Sequence, residues 1–256
     1  MVTGDACEEA VALAREHPRL AVGLHLVVAS GRSALAPSEI PHLVDSSGRF
    51  PSSPTRAGLR YQFLPGARSE LRREIRAQLE LFQETGLPLA HVDGHLHLHL
   101  HPLVLRLIAD LAPEFGIPAV RLPSEELKTA LSLGRVPVPT RLLWSAVFPL
   151  LRRSGVRRLR RARIAHADRV YGLQVTGRLT EQYLVDLLPR ISAQWVEVYC
   201  HPGVEEDDEP ANGPPGAGPR ELAALLSPRV RKTIAERGFL LTNSADAAAL
   251  GRGGAA

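Results

Sequence analysis

Short apolar stretches alternate with helical patterns along this chain of 256 residues, and this alternation limits the folds that are open to it. The predicted strands are LAVGLHL (Leu20–Leu26), LAHV (Leu89–Val92), IPAVRL (Ile117–Leu122), IAHADRV (Ile164–Val170), QWVEVYCHPG (Gln194–Gly203) and GFLLTN (Gly238–Asn243). Strands that alternate with helices form a mostly parallel sheet. We therefore predict an α/β fold whose sheet is either open or closed into a barrel.

Helical periodicity predicts the elements between these strands. The predicted helices are one capped by Asp5, one at about Ser69–Thr85 with Leu71, Ile75, Leu79 and Phe82 on one face, one near Pro102–Glu114, one near Thr180–Leu188, and helices across Gly218–Arg237. The stretch Val27–Ala67 is rich in proline, serine and glycine and has no clear period, so we predict a long loop there. Neither a repeat nor a linker stands out, and we expect a single domain over residues 1–256.

The composition is that of a globular protein, with 45% hydrophobic residues. No apolar run is long enough to cross a bilayer, and the opening MVTGDACEEA lacks the charged and apolar segments of a signal peptide. We expect a cytoplasmic protein. Because Cys7 and Cys200 are the only cysteines, a disulfide framework and a thiolate zinc cluster are excluded. Any metal must therefore be held by histidine and carboxylate side chains.

Arginine is concentrated in RLLWSAVFPLLRRSGVRRLRRAR, between Arg141 and Arg163. Two interpretations of this segment stay open. It is either a solvated helical face or a membrane-surface element, in which Trp144, Phe148 and their apolar neighbours contact lipid and the arginines contact anionic headgroups. We expect no nucleic-acid partner, because no recognised module or aromatic stacking platform accompanies the charge.

Half of the ten histidines fall within HVDGHLHLHLHP, residues His91–Pro102. In an extended chain alternate residues share a face, so these histidines would all point the same way together with Asp93. They cannot all bind one ion, because the extended run would span about 30 Å. An alternative interpretation is a polar loop with incidental histidines, to which we assign His99 and His101.

The other interpretation of this stretch is a single metal site, centred on Asp93, His95 and His97. Gly94 allows the backbone to turn there. Chemistry in parallel α/β folds lies at the carboxyl ends of the strands. His25, His95, Arg121 and His201 each lie at or just past the end of a predicted strand, so we expect them to meet at one edge of the sheet.

The segments GLHL, HVDGHLHLH, VRLPSE, VEVYCHPG and LTNSAD occur in a specific order and spacing. Through them the chain resembles the YdjC-like carbohydrate deacetylase family over nearly its whole length. LVDSSGRF and DGHLHLHLHP are most similar to its hopanoid-biosynthesis-associated branch, HpnK. The resemblance implies an irregular (β/α) barrel-like fold of about seven strands and a single divalent metal ion, magnesium or zinc. It also implies hydrolysis of the N-acetyl group of an amino sugar, carried in this branch on a hopanoid lipid.

The resemblance further implies a role for individual residues. His25 and His95 match the two metal-binding histidines of the family, and His201 matches the histidine that assists the leaving group. Amide hydrolysis needs an activated water, charge stabilisation for the oxyanion and a proton for the departing amine. His201 can supply that proton, because imidazole titrates near neutrality. Asp93 is a candidate catalytic group that orients an imidazole.

Arg121 matches a site arginine of the family, and we assign it to substrate binding together with His97 and Glu197. One part of the family pattern is missing. Family members open with a strand that ends in Asp-Asp-Phe-Gly and supplies a metal-binding aspartate and a neighbouring base. No such strand precedes MVTGDA here, so we expect the true reading frame to extend upstream by one strand and one helix.

Other functions stay open. The chain could be a metal-binding but catalytically impaired remnant that lost turnover with its first strand. It could also be an amidohydrolase or phosphoesterase of the His-x-His type, although the histidine strand before HLH and the HPG after it favour the deacetylase. The expected partners are an N-acetyl amino sugar or a lipid-linked sugar, and a second copy of the chain in a homodimer.

Overall fold

The computed structural model describes residues 1–123, 151–204 and 213–250. The chain divides into two compact units. The first unit contains Met1–Arg121, Arg153–His166 and Asn243–Ala256, and the second contains Leu122–Arg152 and Ala167–Thr242. The prediction of a single deacetylase domain stays a prediction.

Helices make up most of the regular structure. The helices are α1 (Cys7–Glu16), α2 (Pro54–Phe63), α3 (Ala67–Glu84), α4 (Pro102–Phe115), α5 (residues 151–162), α6 (Glu181–Leu187), α7 (Ala217–Leu226), α8 (Pro228–Glu236) and α9 (Ser244–Ala249). The strands are β1 (Val22–Leu26), β2 (Leu89–Gly94), β3 (Arg169–Tyr171) and β4 (Val196–Val198). Within the described ranges, no helix is long and apolar enough to cross a bilayer.

The sheet of the first unit is parallel. β1 pairs with β2, and Leu24 lies opposite Val92 in the register. The ladder continues through two single bridges, from Val92 to Val120 and from Ala119 to Ala165. The predicted α/β class with parallel strands is therefore confirmed. Closure into a barrel is not shown by the described residues and stays a prediction.

Helix α3 buries the apolar face that its periodicity predicts. Leu71, Ile75, Leu79 and Phe82 are all buried. The same helix also buries polar side chains, which hold the segment after β1. Gln78 accepts a hydrogen bond from the backbone N–H of Val27 through Oε1 and donates one to its carbonyl through Nε2. The α3 prediction is confirmed, and the helix fixes the chain where it leaves the strand that carries His25.

The predicted long loop over Val27–Ala67 is wrong in its last third, because α2 lies there. Ser53 caps this helix by accepting a hydrogen bond from the N–H of Arg56, and Pro54 occupies the first helical turn. Serine followed by proline is a favourable start for a helix, since the hydroxyl satisfies an unpaired N–H and proline lacks one. The absence of an apolar stripe facing the core concealed this helix.

Two other local predictions are wrong. Asp5 does not cap α1, which begins at Cys7 after the uncapped Ala6. GFLLTN (Gly238–Asn243) forms no strand, and Leu240 and Leu241 are 77% and 76% exposed. The end of this segment serves the next helix instead, because the Asn243 side chain accepts a hydrogen bond from the N–H of Asp246 and caps α9.

The second unit contains the parallel pair of β3 and β4, in which Val170 lies opposite Glu197. Gly172 follows β3 with a positive φ of 107°, and a Cβ at that position would lie 2.0 Å from the carbonyl oxygen of Tyr199. Only glycine allows this close approach of two backbones. The predicted helix near Thr180 is confirmed, since Thr180 caps α6.

Candidate active site

His25 and Asp93 meet at the carboxyl ends of β1 and β2. They are direct partners in the parallel register, and His25 Nδ1 lies 2.7 Å from Asp93 Oδ1. An ionised carboxylate only accepts hydrogen bonds, so Nδ1 of His25 carries the proton. The other ring nitrogen, Nε2, then presents its lone pair. A histidine whose Nδ1–H is fixed by a carboxylate is the usual arrangement of a metal-binding imidazole.

Asp93 also binds Arg121. Its second oxygen, Oδ2, accepts a hydrogen bond from Nη1 of Arg121 in the first unit. Burial alone would raise the pKa of the Asp93 carboxyl, but the hydrogen bond to His25 and the charge of Arg121 outweigh it and hold the pKa well below its ordinary value. The carboxylate is therefore ionised at neutral pH. Since both of its oxygens are engaged, Asp93 suits the orienting role better than that of a base.

His95 lies beside His25 at the start of the turn that follows β2. The two ring centres are 5.8 Å apart, and the ring planes are inclined by 73°. Two imidazoles that share one ion have ring centres roughly 5 to 6 Å apart when the metal–nitrogen bonds are about 2.1 Å. The two rings are therefore neighbours at a spacing near that of two ligands of one ion.

A third ligand is not identified. Within the part of the chain that the structure describes, no group of three or more His, Cys, Asp or Glu side chains is arranged to hold a metal ion. His25 and His95 would supply half of a four-coordinate shell. Water or further protein ligands would fill the remaining positions.

The histidine stretch does not continue as an extended chain. β2 ends at Gly94, and His95–Leu100 form a turn of 3₁₀ type in which Leu96 and His97 have positive φ values of 52° and 55°. The prediction that all these histidines share one face is therefore wrong beyond Gly94. Left-handed backbone costs a non-glycine residue on the order of 1 kcal/mol, and such strain is found mainly at functional sites.

His99 is completely buried in this turn, and His97 is partly buried. Burial lowers the pKa of His97 to about 3 and that of His99 to about 4. Both rings are therefore neutral at physiological pH. The incidental polar-loop interpretation is wrong for His99, which is completely buried and donates a hydrogen bond from Nε2 to the carbonyl of Arg121 at 2.8 Å. That bond ties the turn to the residue whose side chain binds Asp93.

His101 has a structural role. Its Nδ1 accepts a hydrogen bond from the N–H of Leu103 and caps α4, and Pro102 occupies the first turn. A cap residue followed by proline is a helix-start signal that was present in the sequence. The polar-loop interpretation places His101 outside the metal site. His101 caps α4, so its position is outside that site, but it has a structural role.

His201 and Glu197 belong to the second unit. Nε2 of His201 lies 2.7 Å from the hydroxyl of Tyr199, and the backbone N–H of His201 donates to Oε2 of Glu221 at 2.6 Å. Glu221 is completely buried and also accepts from the N–H of Leu179. Sequence reasoning missed Tyr199 and Glu221. The position of Tyr199, two residues before His201 on one face of an extended chain, was the available signal, whereas Glu221 had none.

The structure thus brings His25, Asp93, His95 and Arg121 together in the first unit, as the strand-end argument predicts for three of them. The catalytic, metal-binding and substrate-binding roles of these residues stay predictions, as do those of His97, His201 and Glu197.

Comparisons with known proteins agree with this fold. The family model described as "YdjC-like protein" matches residues 1–236. A carbohydrate deacetylase of Geobacillus stearothermophilus is 34% identical over 245 residues, which cover 94% of this chain and 82% of the relative. A carbohydrate deacetylase of Brevibacillus brevis is 39% identical over 137 residues, about half of either protein (52%). A chitooligosaccharide deacetylase of Serratia marcescens is 29% identical and is covered over 85% of its length.

A solved structure is also similar. It is a protein of Enterococcus faecalis V583 named as a candidate for cellobiose-phosphate cleavage, with a TM-score of 0.68 and 21% identity over 96% of this chain and 85% of that one. At this identity the likeness concerns the fold alone. The family match covers most of both units, and it confirms the family expected from the GLHL, HVDGHLHLH and VEVYCHPG motifs. The chain therefore belongs to the YdjC-like protein family.

Proposed function

We propose that this chain is a carbohydrate deacetylase that hydrolyses the N-acetyl group of an amino sugar. The observation that carries the proposal is the hydrogen bond of 2.7 Å between His25 Nδ1 and Asp93 Oδ1, with the ring of His95 5.8 Å from that of His25. Relatives named as carbohydrate deacetylase and chitooligosaccharide deacetylase support the same reaction.

One divalent ion, zinc or magnesium, is proposed to bind His25 and His95. Imidazole ligands suit zinc better than magnesium, which prefers oxygen. When bound, the ion would supply an activated water and charge stabilisation for the tetrahedral oxyanion. The chain contributes the fixed orientation of the ligands, because Asp93 holds the proton on Nδ1 of His25 and leaves Nε2 able to coordinate.

His201 is proposed to donate a proton to the departing amine. Protonation of the leaving group is needed because an amine anion is too basic to depart. Tyr199 contacts the imidazole of His201, and Glu221 accepts a hydrogen bond from its backbone N–H. We assign Arg121, His97 and Glu197 to substrate binding. The Arg121 guanidinium also forms an ion pair with Asp93.

The substrate is proposed to be a sugar carried on a hopanoid lipid, as the motifs LVDSSGRF and DGHLHLHLHP suggest through their similarity to the HpnK branch. Peripheral membrane contact through Arg141–Arg163 and a homodimer belong to the same proposal. Residues 141–150 lie outside the described ranges, and the described remainder forms α5, in which Leu159 is buried and Arg160 is exposed.

Metal binding without turnover is the second candidate. It is favoured by one observation, namely that the described residues supply only two matched ligands, His25 and His95, and no group of three. This candidate and the deacetylase share the same metal site, so metal binding alone does not separate them.

Acetate release tests the proposal. The purified chain, loaded with zinc or magnesium, would be incubated with N-acetylglucosamine oligosaccharides and with an N-acetylglucosaminyl hopanoid, and acetate would be measured. The deacetylase predicts stoichiometric acetate and free amine, released faster from the lipid-linked sugar. Metal binding without acetate from either substrate would favour the impaired remnant. Phosphate release from sugar phosphates in place of acetate would favour the phosphoesterase.

A further inference from the structure

Helix α2 buries small residues and exposes large apolar side chains, the opposite of what is usual for a surface helix. The residues that it buries include the small Ala57 and Gly58, whereas Leu59 and Phe63 are 55% and 74% exposed. Leu64, directly after the helix, is 40% exposed. Large apolar side chains at i and i+4 form one stripe on a helix. A surface helix normally turns such a stripe toward the core, whereas α2 presents this one to solvent.

The small residues of α2 lie on its buried side, close to neighbouring side chains. A Cβ at Gly58 would lie 3.3 Å from Cδ2 of His101, and the ring of Tyr61 meets that of His101 edge-on with centres 6.3 Å apart. The hydroxyl of Tyr61 donates to the carbonyl of Val28. These contacts fix the rotation of the helix about its axis. Leu59 and Phe63 are therefore held outward, and a rotation that buried them would break the contact with His101.

The charged residues of the segment that carries the stripe are all arginines. Residues 51–69 contain Arg56, Arg60 and Arg68 and no aspartate or glutamate. Arg56 precedes Leu59 by three positions and Arg60 precedes Phe63 by three, so both arginines border the stripe. The next carboxylate along the chain, Glu70, is buried and is engaged by the ring and the backbone N–H of His42. An exposed phenylalanine and exposed leucines on a segment whose only charges are arginines complement an anionic, partly apolar partner.

We propose that this surface, formed by Arg56, Leu59, Arg60, Phe63 and Leu64, docks the protein on an anionic lipid bilayer. Leucine and phenylalanine side chains enter the boundary between headgroups and acyl chains, and arginines bind the lipid phosphates. The buried side of α2 contacts His101, which ends the histidine turn. A bilayer at the exposed side lies about one helix diameter, 10 to 12 Å, from that turn. The surface is distinct from Arg141–Arg163, and its existence does not depend on the proposed deacetylation.

Vesicle flotation of the full chain tests the docking surface. The vesicles would be phosphatidylcholine alone and phosphatidylcholine with about one third phosphatidylglycerol, at low and high salt. We expect binding to the anionic vesicles that weakens as salt rises, because exposed charges are screened. Leu59→Ser with Phe63→Ser should weaken binding about tenfold or more, and Arg56→Gln with Arg60→Gln at least roughly fivefold. All four positions are at least partly exposed, so folding should be retained, and circular dichroism would verify it.

The matched control is Leu13→Ser with Leu20→Ser. These leucines are 49% and 63% exposed, but Leu13 lies one helical turn from the acidic Glu9 and Glu16. The control should bind vesicles like the parent. The proposal is overturned if the parent does not float at low salt, if the Leu59 and Phe63 variant floats as well as the parent, or if neutral vesicles bind equally well. A dimer that dissociates in the Leu59 and Phe63 variant, without flotation of the parent, would assign the stripe to a second copy instead.

Discussion

His25 and Asp93 face each other across the parallel pair β1 and β2 in direct register, and their side chains are joined by a hydrogen bond of 2.7 Å. The pairing of the strands thus sets the pairing of the side chains. A slip by one residue would move Asp93 to the opposite face of the sheet. The same register places the Asp93 carboxylate next to Nδ1 of His25, which keeps the proton on that nitrogen. The tautomer of the proposed metal ligand therefore depends on the alignment of the two strands.

Asp93→Asn should lower the metal affinity about 10- to 100-fold, which is the usual effect of removing a group that orients a metal ligand. The amide keeps the shape but loses the charge that both His25 and Arg121 face. Metal titration against a chelator of known affinity measures the change. Asp110→Asn is the matched control, because Asp110 is exposed and pairs with the exposed Arg106 on α4. Parent-like affinity in Asp93→Asn would remove the orienting role.

His201→Ala should reduce turnover about 10²- to 10⁴-fold and leave the metal content unchanged, since proton transfer typically contributes that much. Tyr199→Phe removes the hydroxyl that lies 2.7 Å from His201 Nε2, so we expect a smaller loss of turnover. Steady-state kinetics across pH and elemental analysis of the same samples provide both readouts. Unaltered turnover in His201→Ala would eliminate its role as the acid.

Gly172→Ala should destabilise the protein more than Gly86→Ala. Both glycines have positive φ, 107° and 71°, so alanine costs about 1–2 kcal/mol at either position. At Gly172 the new Cβ would also lie 2.0 Å from the backbone oxygen of Tyr199, whereas at Gly86 it meets nothing within 4 Å. Denaturant unfolding compares the two. Equal losses would mean that β3 and β4 do not approach as closely as described.

The buried His99 should make the protein less stable in mild acid. Its pKa is about 4 in the folded state, below the value of about 6.5 for a histidine in the unfolded chain. As pH falls from 6.5 to 4, the unfolded chain takes up a proton that the folded protein does not, and stability is lost. His99→Gln retains a donor for the Arg121 carbonyl and should lose less stability over this range, by on the order of a few kcal/mol.

Unfolding of the metal-free protein at pH 7.5 and pH 5 provides this comparison. His17→Gln, at an exposed histidine after α1, is the control and should follow the parent. Identical pH dependence of the parent and His99→Gln would show that His99 is accessible to protons in the folded state.

Periodic elements could be predicted from the sequence, whereas contacts between distant segments could not. Helix α3 was predictable because Leu71, Ile75 and Leu79 recur at helical spacing and are all buried. The strand-end argument found His25 and His95, because alternation of strands and helices fixes which strand ends point the same way. Helix α2 was missed because it exposes Leu59 and buries small residues, which removes the usual stripe.

The turn formed by His95–Leu100 could not be predicted from the sequence pattern. Alternation from His91 to His101 predicts one continuous face, but positive φ values at Leu96 and His97 end that face. Left-handed backbone at a leucine has no sequence signal, because it is maintained by surrounding contacts. Among these contacts is the hydrogen bond from His99 to the carbonyl of Arg121, a residue 22 positions away. Such a bond exists only after the strands have assembled.

The central claim is tested most directly by measuring acetate release and bound metal together in the parent, His25→Ala and His95→Ala. The parent should bind one zinc or magnesium ion and release acetate from an N-acetyl amino sugar. Both variants should lose the metal and the acetate release, because the rings that lie 5.8 Å apart would share that ion. Full metal retention and undiminished acetate release in both variants would contradict the account.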